Sequence, residues 1–214
     1  MAKLTPFETP SEDFSGSLSD PSRWDGLAVR EGDIVVNTPA KSGATWVQSI
    51  LAMLIAQDTN VAAQISLKSP WIDIKFRPLE DVAARLEAQD HRRQFKSHTS
   101  YQGLPWWSEL RYISVYRHPL DVHFSYRRHV ANMSFGILGE FFPDDPRESC
   151  TLFLEGDNPD AMPLKTIVAH HKGALARRGR ENLLMLRYND MQRDFGKAVR
   201  QIAGMSALSY LTLS

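Results

Sequence analysis

The chain has 214 residues, with 25 lysines and arginines balanced by 25 aspartates and glutamates. That length supports one sizeable core, and the charge balance excludes a general polyanion binder such as a nucleic-acid protein while leaving room for a local basic pocket. A single cysteine, Cys150, excludes an internal disulfide framework and suits a reducing, cytoplasmic setting. Apolar runs fall short of the roughly 20 residues of a membrane span, and Met1 to Asp20 lacks a charged stretch followed by an apolar one. Neither membrane association nor a secretory signal is therefore expected.

Residues 1–30 carry Pro6, Pro10 and Pro21 among serines and read as an extended leader to one domain over 31–214. Ile34, Val35 and Val36 form a β-branched run too short for a helix, stopped by Pro39. Trp46, Val47, Ile50, Leu51 and Leu54 then recur at helical spacing, so a helix is expected from Thr45 to about Gln57. A strand that passes through a lysine-bearing glycine loop into a helix N-terminus is an anion site. The free N–H groups and the helix dipole favour negative charge, and Lys41 adds a point charge. The nucleotide P-loop pattern is only partly met, because Lys41 precedes Gly43 and the first glycine is missing. Taken alone, the stretch also reads as a plain strand-to-helix turn with a solvated lysine.

Asn60 to Pro70 is irregular, and Trp71 to Arg77 is ambiguous. A helix is expected from Pro78 to about Ala88, with Leu79, Val82, Ala83 and Leu86 on one face. Arg92 to Ser97 reads as a short strand ending at His98, followed by an aromatic loop from Tyr101 to Trp107. Arg111 to Tyr116 is a strand by composition, broken at Arg117-His118-Pro119. A helix starts there, with Pro119 at its first position and Asp121 in its first turn. Residues 134–147 are a loop bearing Phe135, Phe141 and Phe142. Helices follow at about 147–155 and from Pro163 to Arg178, then a buried strand from Leu183 to Leu186. Tyr188 to Asp190 turns into a last helix at about 195–203. This alternation predicts an α/β three-layer sandwich with a mainly parallel central sheet flanked by helices. Such sheets bind ligands outside the carboxyl ends of their strands. The loops at Pro39–Ala44, His98–Pro105, Arg117–Pro119 and Arg187–Asp190 should share that edge.

Lys41-Ser42-Gly43-Ala44-Thr45-Trp46 resembles the phosphosulfate loop of the sulfotransferases that use 3′-phosphoadenosine 5′-phosphosulfate (PAPS). The usual form is Pro-Lys-Ser-Gly-Thr-Thr-Trp, so Ala40 and Ala44 are departures. The segment from Tyr116 to Tyr126 is similar to the family's 3′-phosphate motif, Arg-x-Pro-x-Asp-x-x-x-Ser-Tyr. Phe95-Lys96-Ser97-His98 resembles its Lys-Thr/Ser-His segment, and Leu186 to Met191 its Leu-Arg-Tyr-Glu-Asp-Leu segment. The four stand in the family's order over residues 33–204. The family's later Arg-Lys-Gly and Gly-Asp-Trp segments, which close over the 3′-phosphate and carry its usual dimer contact, have no match before Ser214, so the domain is expected to lack them.

The resemblance implies a P-loop-like fold and transfer of a sulfuryl group from PAPS to a hydroxyl or amine of a small molecule, with PAP as product and no metal. Physical chemistry assigns compatible roles. The amides of Ser42, Gly43, Ala44, Thr45 and Trp46, with the Thr45 hydroxyl, can hold the phosphosulfate. Lys41 can neutralise charge on the leaving oxygen. By resemblance Trp46 stacks on adenine; core packing is the alternative. Arg117 and Ser125 would hold the 3′-phosphate, and Tyr188 either meets the adenine edge or caps its strand. His98 is the candidate general base, since imidazole titrates near working pH.

The remaining histidines lack comparable surroundings. His170 and His171 are adjacent on a helix and point to different faces, so they do not read as a metal site. The basic runs Arg127-Arg128-His129 and Arg177 to Arg180 read as solvated faces or helix ends, the first with a possible field on the 3′-phosphate site. Trp71, Phe76, Tyr101 and Phe135 belong with the other aromatics to the core by default, and Trp106 and Trp107 are the better candidates for an acceptor pocket. Rival readings are a P-loop-type small-molecule or nucleotide kinase, and a non-catalytic nucleotide-binding relative. Neither the acceptor nor the oligomeric state is legible.

Overall fold

Short β-branched runs and longer amphipathic ones resolve into a parallel sheet with helical cover in the computed structural model, which describes residues 4–59, 61, 65–132 and 142–208. The strands are β1 (Ile34–Asn37), β2 (Gln94–Ser97), β3 (Arg111–Tyr116) and β4 (Leu183–Arg187), in the order β2-β1-β3-β4. Every neighbouring pair is parallel; Val35 lies opposite Phe95 and Tyr112, and Ile113 opposite Leu184. The β1 strand is buried at every position, which explains its unbroken apolar reading. The period of two still sorts the side chains. Val35, Phe95 and Tyr112 join Trp24, Leu86 and Trp107 on one face. Ile34, Val36 and Ile113 join Val47, Leu51 and Ile202 on the other.

The helices are α1 (Ala44–Ala56), α2 (Ile65–Lys68), α3 (Leu79–Glu87), α4 (Pro119–Ala131), α5 (Pro146–Glu155), α6 (Leu164–Ala176), α7 (Tyr188–Arg193) and α8 (Phe195–Ser206). Among the described residues, none is long and apolar enough to cross a membrane. The starts follow local chemistry: Pro119 opens α4 with Asp121 in its first turn, and Asp145 accepts from the N–H groups of Arg147 and Glu148 to cap α5. Three expectations need correction. The irregular stretch 60–70 contains the short α2, Tyr188 to Asp190 begins a helix of its own, and α8 runs on to Ser206. Asp194 causes the break before α8, because its carboxylate accepts from the Lys197 N–H at 2.8 Å. Phe135 and Phe141, like residues 209–214, lie outside the described residues.

The leader is largely extended and is packed onto the body. A 3-10 turn at Pro21–Gly26 drives Trp24 into the core, where its indole N–H donates to Asp73. Asp160 accepts from Ser17 Oγ, the Leu18 N–H and Ser19 Oγ at 3.0, 2.7 and 2.6 Å. Glu8 pairs with Arg177 and Arg180, whose guanidinium groups also lie over the Trp106 ring. Arg177 does close the end of α6, donating to the Gly173 carbonyl at 3.0 Å, and with Arg180 it also tethers the leader, which the composition does not reveal.

At the amino-terminal ends of β1 and β2, Arg93 and Asp33 form a fork at 3.0 and 2.5 Å, with both side chains almost fully buried. Arg93 also donates to the Ala28 carbonyl at 2.8 Å, and the Arg30 N–H donates to Asp33 at 2.7 Å. A buried pair of this kind is costly to break from one side only. Asp33→Ala should destabilise the fold by about 3–5 kcal/mol, and Asp33→Leu with Arg93→Met by less, read from urea unfolding midpoints.

Candidate active site

The parallel strands deliver their carboxyl ends to one edge. From β1 the chain enters a loop in which Lys41 adopts φ 62° and Gly43 φ 116°. A left-handed lysine is uncommon. At Gly43 a Cβ would come within 3.1 Å of the Tyr188 ring, so both the backbone angle and the space require glycine. The turn leaves the first N–H groups of α1 without intrahelical acceptors, facing the same side as Lys41. Ser42 behaves differently from its neighbours: it is fully buried, its N–H donates to the Pro39 carbonyl at 3.2 Å, and its Oγ has no protein partner.

The end of β3 supplies Arg117. Its Nη1 donates to the Lys41 carbonyl at 3.0 Å, its guanidinium sits 4.5 Å from the Tyr188 ring centre, and its Nε is buried without a partner. Ser125 comes from the second turn of α4 and lines the same cleft. Tyr188, just past β4, meets Trp46 edge-on at 5.7 Å, and Trp46 stacks on Phe195 at 5.7 Å.

The end of β2 supplies Lys96 and His98. The His98 Nδ1 lies 2.7 Å from the Thr38 carbonyl oxygen. A carbonyl can only accept, so Nδ1 carries the proton and Nε2 keeps its lone pair. Asp73 fixes the backbone on both sides: one carboxylate oxygen accepts from Ser97 Oγ, the His98 N–H and Thr99 Oγ1 at 2.5, 3.2 and 3.0 Å. The Trp71 ring abuts His98 at 4.7 Å and carries the Lys96 ammonium 4.7 Å from its centre.

These groups wall a cleft of about 460 Å³ that includes Lys41, Lys96, His98, Arg117, Ser125, His129 and Tyr188. No carboxylate lies among the described residues that line it. Burial, then Arg117, pushes the Lys41 ammonium below its ordinary range. Burial, then Lys41, brings Lys96 down to about 8. Burial, then Lys96, holds the His98 imidazole well below the usual histidine value, and His129 is lowered by burial, Lys41 and Lys96. Cations that repel one another in a partly desolvated cleft, with no anion on its walls, form a site that an anionic ligand relieves.

Lys41, Gly43, Ala44, Thr45, Trp46, His98, Arg117, Ser125 and Tyr188 line one cleft, with Ser42 underneath. Trp106 and Trp107 are corrected: they are core residues, Trp106 stacked on Tyr112 at 3.8 Å and the Trp107 N–H donating to the Tyr112 hydroxyl. A smaller cavity of about 30 Å³ adjoins the cleft across His98 and Trp71, lined by Phe14, Leu18, Tyr126 and Met162. The sequence places Lys96 in the segment ending at His98 and His129 in the basic run near Ser125, but assigns neither a place in the cleft that both line. A lysine inside a buried strand was one available signal, and a histidine four residues after Ser125, hence on the same helix face, was another. Phe14 in the leader carried none.

A family model described as the sulfotransferase domain matches residues 31–208. The glycolipid sulfotransferase of Mycobacterium tuberculosis is 41% identical over 121 residues, 56% of this chain and 37% of that protein. Human sulfotransferase 1C2 is 25% identical over 206 residues, 89% of this chain and 66% of that protein. Among solved structures, a retinol dehydratase complexed with retinol and PAP is similar with a TM-score of 0.68 at 19% identity, covering 88% of this chain and 63% of that one. A mouse sulfotransferase complexed with PAP gives 0.64 at 20%, covering 90% and 64%. The chain thus spans between about a third and two thirds of the length of these relatives.

Two buried imidazoles make stability pH-dependent. His98 is held neutral, and burial brings His170 to about 3. An unfolded histidine protonates near pH 6.5, so below that value the unfolded state binds protons that the folded state refuses. Stability should fall as the pH drops from about 6.5 toward 3. Urea midpoints between pH 7 and 5 should show this, with a shallower decline in His170→Asn.

Proposed function

This chain belongs to the sulfotransferase family, and from that premise we propose that it moves a sulfuryl group from PAPS to a hydroxyl or amine of a small-molecule acceptor. The observation that carries the reading is the cation-lined cleft with two separate anion cradles and no carboxylate on its described walls. The helix start at Gly43–Trp46 with Lys41 suits the 5′-phosphosulfate. Arg117, with a buried and unpaired Nε, and Ser125 suit the 3′-phosphate. Trp46 and Tyr188 supply the aromatic wall for adenine between them. A donor phosphorylated at two positions uses both cradles, whereas ATP leaves the Arg117–Ser125 cradle unfilled.

The chemistry assigned to this chain's residues is proton transfer and charge neutralisation. His98 Nε2, fixed as an acceptor by the Nδ1–Thr38 bond, takes the proton of the acceptor as its oxygen or nitrogen bonds to sulfur. The bond from sulfur to the bridging phosphate oxygen breaks on the opposite side, and Lys41 and Lys96 offset the negative charge left on that oxygen. Burial and the Lys96 charge keep His98 unprotonated in the cleft, as a base must begin, but they also lower its affinity for the proton below that of an ordinary imidazole; an anionic donor beside Lys41 and Lys96 would raise that affinity. The wall beyond His98 that carries Phe14, Leu18 and Met162 is assigned to the apolar part of the acceptor, and its cavity of about 30 Å³, room for little more than a water, must widen to admit it. The mycobacterial relative's name, glycolipid sulfotransferase, supports a hydroxyl-bearing acceptor with an apolar part.

Transfer of labelled sulfate from PAPS to a panel of phenols, alcohols and amines tests the reaction. His98→Ala should lower kcat about 10²–10⁴-fold while leaving PAP binding intact. Undiminished turnover in that variant removes the base assignment. PAP at about 100 times its Kd should stabilise the protein by about 2.7 kcal/mol, and Arg117→Ala should abolish most of that shift. Stabilisation by ATP that exceeds that by PAP points instead to a kinase-like site.

A further inference from the structure

The base candidate is held by a carbonyl, and that carbonyl belongs to a strand end that has its own buried anchor. Asn37, the last residue of β1, is fully buried, and its Oδ1 lies 3.0 Å from Nε2 of His170. His170 projects from α6 and is 1% exposed. On its other side Asn37 is in register with Ser97 of β2, and the next N–H, that of Thr38, donates to the Ser97 carbonyl at the long distance of 3.3 Å. The following carbonyl, that of Thr38, accepts from His98 Nδ1 at 2.7 Å. A contiguous chain therefore runs from α6 through the end of β1 to the imidazole: His170, Asn37, Thr38, His98.

We propose that His170 is a positioning residue for the transfer reaction: by donating to Asn37 it fixes the end of β1 so that the Thr38 carbonyl holds His98 with its lone pair on Nε2. The inference rests on the reading of His98 as base. Two further observations support it. Asn37 Nδ2 and Thr38 Oγ1 are buried without partners among the described residues, so the His170 contact is the side-chain anchor seen at this strand end. An unanchored amide there would be free to rotate in search of partners. Burial also keeps the His170 ring neutral down to about pH 3, so it stays a single-proton donor through the working range. The ring is not itself a second base, because Nε2 is committed to Asn37 and the side chain lies outside the residues lining the cleft.

The test reads the His98 ring directly, by nitrogen NMR of histidine-labelled protein near neutral pH. Wild type should show His98 with its proton on Nδ1. His170→Phe, which keeps a ring but loses the donor, should give a mixture of tautomers. Asn37→Ala cuts the same link from the other end and should do likewise, and His170→Gln, which restores an N–H, should recover the wild-type signal. A His98 tautomer unmoved in both His170→Phe and Asn37→Ala overturns the proposal, whatever the enzyme transfers. In kinetics, His170→Phe should lose about tenfold or more in kcat with acceptors that need deprotonation, and less than about twofold with phenols already ionised, with PAP affinity kept. Equal losses with both acceptor types mark a merely structural role and also overturn it. Absence of transfer by the wild-type protein counts against the sulfotransfer reading and leaves the NMR result standing.

Discussion

Lys41, Lys96 and Arg117 repel one another across a partly buried cleft, and the rest of the structure exists to hold them there. Each cation sits at or just past the carboxyl end of a different parallel strand. The nearest negative charge, Asp73, lies outside the cleft lining, and its carboxylate is occupied with Trp24, Ser97, Thr99 and the His98 backbone. Burial pushes that carboxyl upward, and four hydrogen bonds oppose the shift. A bound anion would supply the missing counter-charge, which is the physical basis of the affinity proposed for this cleft.

The polar contacts that fasten the fold lie partly away from the cleft and partly along its border. The Arg93–Asp33 fork lies at the opposite, amino-terminal end of the strands. The leader fastens at Trp24, at Asp160 and at Glu8, with each polar contact satisfied by a partner distant in sequence. Near the cleft the pattern reverses. Asn37 Nδ2, Thr38 Oγ1, Ser42 Oγ and Arg117 Nε are buried without partners, and Lys41 holds a left-handed backbone angle. Such local costs concentrate where function constrains the chain.

Where sequence and structure disagreed, the misreadings share a cause. Trp106 and Trp107 follow His98 in the chain, yet the segment turns inward and packs them against Tyr112 and Trp24. Their placement depends on β3 and the leader, which no local pattern encodes. Arg177 and Arg180 read as solvent-facing because their partner, Glu8, lies more than 160 residues away. Lys96 read only as part of the segment that ends at His98, because its electrostatic neighbour, Lys41, comes from the loop after another strand.

The sequence by itself determined the strands, most helix starts, the parallel architecture and the strand-loop-helix turn at Lys41 to Trp46. Those features rest on β-branched runs, helical spacing, proline and glycine chemistry, and short motifs, all of which act within a few residues. Only the tertiary structure decided the net field in the cleft, the tautomer of His98 and the anchoring of Asn37 by His170. Each of these depends on distances between groups on different strands and helices. Electrostatic and hydrogen-bond energies fall steeply with distance, and sequence separation carries no measure of it.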